Sequence, residues 1–226
     1  MEIPITNQLN PTLIYIVRHG NVADHQGDVA ILPEGKRAAF DAGARLAVHL
    51  RDGDAATILH APTARTRETA QELARGLELT ARAQNKNAAR VLPPRVENAI
   101  RNFQFIIDGC EYPPTDAMHE SLPASAARDP FLNAFWQAAG DPIAYWLTHP
   151  SASAESPALV AERLRAFCVA LLARATPGLH ILVSHSGPMR AFLRASLGAD
   201  PGEPDFCEAF LVSANGVQYR DQLANL

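Results

Sequence analysis

The chain has 226 residues, 47% of them hydrophobic and 19% charged, with 20 basic against 24 acidic residues and a formal net charge of −4. That is enough chain for a sizeable α/β core, and it carries no basic run of the kind that grips nucleic acid. No stretch of about 18 apolar residues offers a membrane span, and the opening MEIPITNQLNPT has neither the basic nor the apolar region of a secretory signal. Cys110, Cys168 and Cys207 lie far apart and form no CxxC pair, so reduced thiols in a cytoplasmic protein are expected.

Residues 13–17, LIYIV, are continuously apolar and predict a buried central strand. The strand ends on Arg18, His19 and Gly20. Pro33 opens a helix, where its missing N–H costs nothing, and Ala39, Ala42, Leu46 and Leu50 mark the inner face. Asp52-Gly53-Asp54 is a turn, and residues 57–60 predict a second strand. Pro62 opens a second helix whose apolar face carries Ala70, Leu73 and Leu77. Strands alternating with helices predict an α/β fold, a three-layer α/β/α sandwich around a mostly parallel sheet.

The rhythm changes after Leu79. Residues 80–98 are polar, and residues 100–146 are rich in aromatics and prolines, with both tryptophans, Trp136 and Trp146. An aromatic-rich cap insertion is expected at about 98–155, helical near 130–147, within a single domain spanning 1–226. Leu159, Leu164, Phe167 and Leu171 then mark a helix, and residues 179–184 a strand ending in His185. Pro188 opens a helix to Leu197. Residues 206–213, Asn215-Gly216 and residues 217–223 predict a closing hairpin.

Three strand ends look alike: Arg18-His19-Gly20, then His60 with Arg65 in the helix behind it, then His185 with a Gly-Pro helix start. In a parallel sheet the carboxyl ends of strands share one edge, where ligands bind. Arginines and histidines gathered there suit a compact, highly charged anion. Arg65 also opposes the dipole of its own helix, by roughly 0.3–1 kcal/mol, and a local rule broken without local gain points to function. Arg67 on the same turn reads as a surface charge. Histidine can accept a phosphoryl group covalently, and a carboxyl group would protonate the departing alcohol.

The segments YIVRHG, DVAILPEG, APTARTRETA, AESPALVAERL and VSHSGPMR together resemble the histidine phosphatase superfamily, with its phosphoglycerate-mutase-like fold. The resemblance implies that His19 accepts the phosphoryl group and that Arg18, Arg65 and His185 form the phosphate pocket. Asn21 stands where that family usually has an acidic residue, and it can hydrogen-bond the phosphate but not act as an acid. His25 replaces an asparagine that the family often carries, and His60 stands where a serine is common. The acid has two registers in PRVENAIRNF. In one it is Glu97. In the other the position has become Asn102, and Asp108, Glu111 or Glu120 would substitute.

The resemblance implies a metal-independent phosphatase that hydrolyses a phosphate monoester through phosphohistidine, with His19, Glu97 and His185 catalytic and no cofactor. The expected partner is a small-molecule phosphate ester, with neither nucleic acid nor membrane, and a homodimer is left open. Two alternatives stand beside it: a non-catalytic phospho-ligand binder of the same fold, and mutase-like phosphoryl transfer. Reading His19, His60 and His185 as metal ligands is weakened by the two arginines, which would repel a cation.

Overall fold

The computed structural model describes residues 11–24, 27–114, 122–138, 140–174 and 178–226. In chain order these form β1 (Leu13–Arg18), α1 (Pro33–Leu46), β2 (Ala55–His60), α2 (Ala64–Ala83), β3 (Arg90–Val91), β4 (Arg95–Val96), β5 (Phe105–Ile107), β6 (Cys110–Tyr112), α3 (Pro130–Gln137), α4 (Pro142–Thr148), α5 (Pro157–Leu172), β7 (Leu179–Ser184), α6 (Ser186–Leu197), β8 (Ala209–Ser213), β9 (Gly216–Tyr219) and β10 (Gln222–Ala224).

The main sheet runs β10-β9-β8-β1-β7-β2-β3, with β4 also on β2. Its centre is parallel: β7 lies between β1 and β2, with Ile181 opposite both Tyr15 and Ile58. β8, β9 and β10 add an antiparallel edge. Alternation along the central strands sends side chains to two cores. Val17, Ile181 and Val183 meet Leu46, Leu50, Leu73 and Leu77 on one side. Ile14, Ile16 and Leu182 meet Leu164, Leu171 and Phe192 on the other. Each such fully buried side chain contributes roughly 1.5–3 kcal/mol. Helices α1 and α2 touch backbone to backbone: a Cβ on Gly43 would lie 2.0 Å from the Leu73 carbonyl oxygen, and one on Gly76 2.0 Å from that of Phe40.

Several elements differ from expectation for local reasons. The first helix stops at Leu46 and tightens into a 3₁₀ turn, Ala47–His49. α6 starts at Ser186, two residues before Pro188, because a proline among the first four helical residues removes no intrahelical bond. The expected helix over 130–147 is two helices, each opened by an aspartate cap and a proline: Asp129-Pro130 and Asp141-Pro142. The short β3 and β4 lie in the polar stretch and are carried by pairing with β2, not by their own pattern.

The aromatic segment builds a third core. Phe103 stacks on Trp146 with ring centroids 4.2 Å apart, and Phe105, Phe131, Phe135 and Leu132 close around them. This core rests on Val160 and Ala161 of α5 and Ala191 of α6. No helix among the described residues is long and apolar enough to cross a membrane.

Candidate active site

Because β1, β2 and β7 are parallel neighbours, their carboxyl ends meet at one edge. β1 brings Arg18 and His19 there, α2 brings Arg65, and His185 follows β7. All four line one cavity of about 320 Å³. The His19 and His185 rings stand edge to face, 5.3 Å apart. Nδ1 of His19 lies 2.9 Å from the Gly20 carbonyl oxygen. A carbonyl only accepts, so Nδ1 carries the hydrogen and Nε2 holds the lone pair of the neutral ring.

The Arg-His-Gly end is held from behind. The Gly20 N–H donates to the Thr69 hydroxyl at 2.8 Å, and that hydroxyl donates to the Arg65 carbonyl at 2.6 Å. Gly20 and Gly35 meet with no room for side chains: a Cβ on Gly35 would lie 2.6 Å from the Asn21 carbonyl oxygen, and one on Gly20 2.9 Å from that of Gly35. This contact explains why LPEG accompanies RHG in the sequence.

Arg18 is buried over the Phe206 ring, 4.1 Å from its centroid. It donates to the Pro204 carbonyl and pairs with Glu203 at 2.8 Å. Its Nε has no partner among the described residues. Burial pulls this guanidinium below its ordinary pKa, and Glu203 and Asp205 push back. Arg65 is 1% exposed and donates to the Gly27 carbonyl at 3.3 Å. His185 is the N-cap residue of α6, whose first residues Ser186 and Gly187 also line the cavity. Their helical N–H groups add donors for an anion. The Thr63 hydroxyl lies 3.4 Å from His185 Nε2.

The family model "Histidine phosphatase superfamily (branch 1)" matches residues 14–86 and 120–226. The chain belongs to this superfamily. Its chemistry is phosphohistidine-mediated phosphoryl hydrolysis or transfer. Among solved structures, the chain is similar to a mycobacterial glucosyl-3-phosphoglycerate phosphatase complexed with VO3, at 18% identity and a TM-score of 0.58, covering 95% of this chain and 100% of that one. It is also similar to a phosphoglycerate mutase from Bacillus anthracis str. Sterne, at 16% identity and a TM-score of 0.57, covering 96% and 93%. At these identities the likeness is one of fold. No curated protein matches the chain in sequence.

The remaining sequence-predicted residues are placed elsewhere. Glu97 does not line the cavity; it caps the 3₁₀ turn Asn98–Ile100, accepting from the Ala99 N–H at 2.9 Å. Asn102 does line it, with Oδ1 accepting from the Phe103 N–H at 3.1 Å. The Asn102 register is therefore the one that faces the histidines. Asp108 accepts from the Ser125 hydroxyl, and Glu111 pairs with Arg101 at 3.5 Å, both exposed and outside the cavity lining. Asn21 turns its amide to Glu34 at 3.4 Å and does not line the cavity. His60 is buried with Nδ1 on the Ala61 carbonyl at 2.8 Å, also outside the lining. His25 and Glu120 lie outside the described residues.

Two carboxylates unforeseen in the sequence do reach the cavity, Asp141 and Glu203. Both are tied to Arg190, which is 1% exposed: it meets Asp141 at 2.7 Å, Glu203 at 3.1 Å and Asp200 through both Nε and Nη2. Burial lowers the pKa of Arg190, but its hydrogen bonds to Asp200 and Asp141 outweigh that and raise it. Burial would raise the Asp141 carboxyl, yet bonds from Arg190 and the Ala144 N–H hold it below the usual carboxylate range. VSHSGPMR contains Arg190, but nothing local signals a hub. Its partners lie up to 49 residues away.

Glu155, from the AESP segment, acts at a distance from the cavity. It accepts two bonds from Arg101, at 2.6 and 3.1 Å, one from Arg163 at 2.9 Å and one from the Gln104 N–H at 2.9 Å. Arg163 in turn holds the Arg101 carbonyl at 2.9 Å. Together they pin the strand that presents Asn102.

Proposed function

We propose that the chain hydrolyses a phosphate monoester by way of a phosphohistidine on His19. The observation that carries this is the meeting of His19, His185, Arg18 and Arg65 on one cavity, with the His19 lone pair assigned to Nε2 by the Gly20 carbonyl. Nε2 attacks phosphorus, the P–N bond forms and the ester P–O bond breaks. Arg18, Arg65 and His185 hold the phosphoryl oxygens and stabilise the charge of the transition state. Water then attacks phosphorus and releases phosphate. The two arginines bring the positive charge that a metal would otherwise supply, which supports a metal-independent reaction. Residues 98–155 act as a cap on a single domain.

Asn102 in the register of the acid favours a second reading, a phospho-ligand binder without turnover. Rapid-quench labelling with p-nitrophenyl phosphate, whose nitrophenolate leaves unaided, separates the two. Labelled enzyme and turnover are expected from the wild type, both lost in His19→Ala with unchanged circular dichroism. Vanadate should inhibit, since it resembles the transition state, and chelators should not. Binding without labelling would establish the second reading. Activity lost in EDTA and restored by a divalent ion would overturn metal independence.

A further inference from the structure

Two independent features of the cavity narrow the substrate. The first is its lining. Beside the cationic groups stand Pro114, Phe135, Trp136, Pro142 and Ile143, an apolar and partly aromatic wall supplied by the aromatic segment. The charge of that segment is one-sided: residues 102–149 contain one basic residue, the exposed Arg128, against Asp108, Glu111, Asp116, Glu120, Asp129 and Asp141. Arg101, on the neighbouring cavity of about 130 Å³, is already neutralised by Glu155. A second anionic group on the substrate would meet Asp141 and no uncommitted cation of this wall.

The second feature is how the cavity handles protons. Asn102 holds none to give. Asp141 is kept ionised by Arg190. Both oxygens of Glu203 are taken, Oε1 by Arg18 and Oε2 by Arg190 and the Ser186 hydroxyl, so a proton on either would face another donor. Among the described residues of the lining, no carboxylic acid stands ready to protonate a departing alcohol. An ester cleaved here must release an oxygen that leaves as an anion.

Resting on the phosphatase reading above, we infer that the substrate class is aryl phosphate: a phosphate ester of a phenol whose ring carries no second anionic group. An aromatic ring suits the Trp136 and Ile143 wall, and a phenolate leaves without an acid. In the first step the His19 Nε2 pair forms the P–N bond, and the P–O pair departs on the phenolate, which takes its proton from solvent.

Matched esters test this. Phenyl and benzyl phosphate share a ring but differ in leaving group. General acid catalysis is worth roughly 10²–10⁴-fold, so phenyl phosphate should exceed benzyl phosphate by at least about 10²-fold in kcat/KM. It should exceed 4-carboxyphenyl phosphate by about 10-fold or more, the factor set by about 1.4 kcal/mol of lost complementarity. Asn102→Glu should narrow the phenyl-to-benzyl gap, and Glu120→Gln should leave both rates unchanged. Trp136→Ala should weaken phenyl phosphate but not the Kd of inorganic phosphate. Benzyl phosphate within about threefold of phenyl phosphate, or a 4-carboxyphenyl ester as good as phenyl, would overturn the inference. Calorimetry with phenylphosphonate and 4-carboxyphenylphosphonate reads the wall without turnover. Unequal binding with no labelling of His19 would sink the enzymatic reading alone, whereas equal binding would sink this one.

Discussion

Replacing Arg190 with methionine tests the hub beneath the site. Methionine fills much of the same space, so the perturbation is the loss of charge and donors, not a cavity. Breaking a fully buried ion pair by removing one partner costs about 3–5 kcal/mol. Here the stranded carboxylates are not sealed: the side chains of Asp141, Asp200 and Glu203 are 41%, 24% and 44% exposed, so water recovers part of their solvation. That places the expected loss near the lower bound, about 3 kcal/mol. With an unfolding entropy of about 2.1 cal/mol/K per residue, a chain of 226 residues should then lose roughly 6 °C in Tm. Scanning calorimetry and urea unfolding measure it. Arg190→Lys should recover less than half, because an ammonium cannot make the two-pronged contact to Asp200. A Tm for Arg190→Met within about 1 °C of wild type would refute the reasoning, since the hub would then be no stronger than a surface pair.

Three further outcomes are expected. Glu97→Gln should change kcat/KM by less than about threefold, because its carboxylate caps a turn, whereas general acid loss would take roughly 10²-fold or more from an alkyl ester. Gly35→Ala should lower kcat/KM by about 10²-fold, because its Cβ would press on the backbone of Asn21 and displace His19; unchanged kinetics would show that the contact yields. Burial lowers the His180 pKa, with Arg174 adding to it. The unfolded chain therefore binds the proton more readily, stability falls as pH drops below the unfolded value of about 6.5, and His180→Leu should flatten that part of the pH–stability curve.

The parallel core was legible because it obeys local rules: LIYIV and LHILVS are apolar runs, and Gly-Pro and Asn-Gly mark their turns. The phosphate end of the cavity was legible for a related reason. Arg18, His19, Arg65 and His185 sit at strand ends or first helical turns, where sequence position alone places a side chain at the sheet edge. The other end was not. Glu97 and Asn102 are five residues apart on a chain that pairs briefly with β2 and then makes a 3₁₀ turn, and no periodicity says which of them faces inward. Asp141 and Glu203 reach the cavity only through Arg190, a contact set by tertiary packing between distant segments. The aromatic segment announced itself by composition, but that Phe103 and Trp146 form core while Trp136 lines the cavity follows from how α3 and α4 break at Asp141-Pro142.

The hydrogen bond from His19 Nδ1 to the Gly20 carbonyl has a consequence for the lifetime of the intermediate. Once Nε2 is bonded to phosphorus, a ring that keeps its Nδ1 hydrogen is an imidazolium. The carbonyl dipole stabilises that cation, and a cationic imidazole departs from phosphorus more readily than a neutral one. The backbone of the folded protein thus keeps the phosphoryl group on a poor resting place, ready for water. Unfolding in alkali removes the hydrogen and with it the lability, so the adduct should outlast a basic denaturing quench and be lost in an acidic one. The isomer recovered should be the Nε2 phosphohistidine.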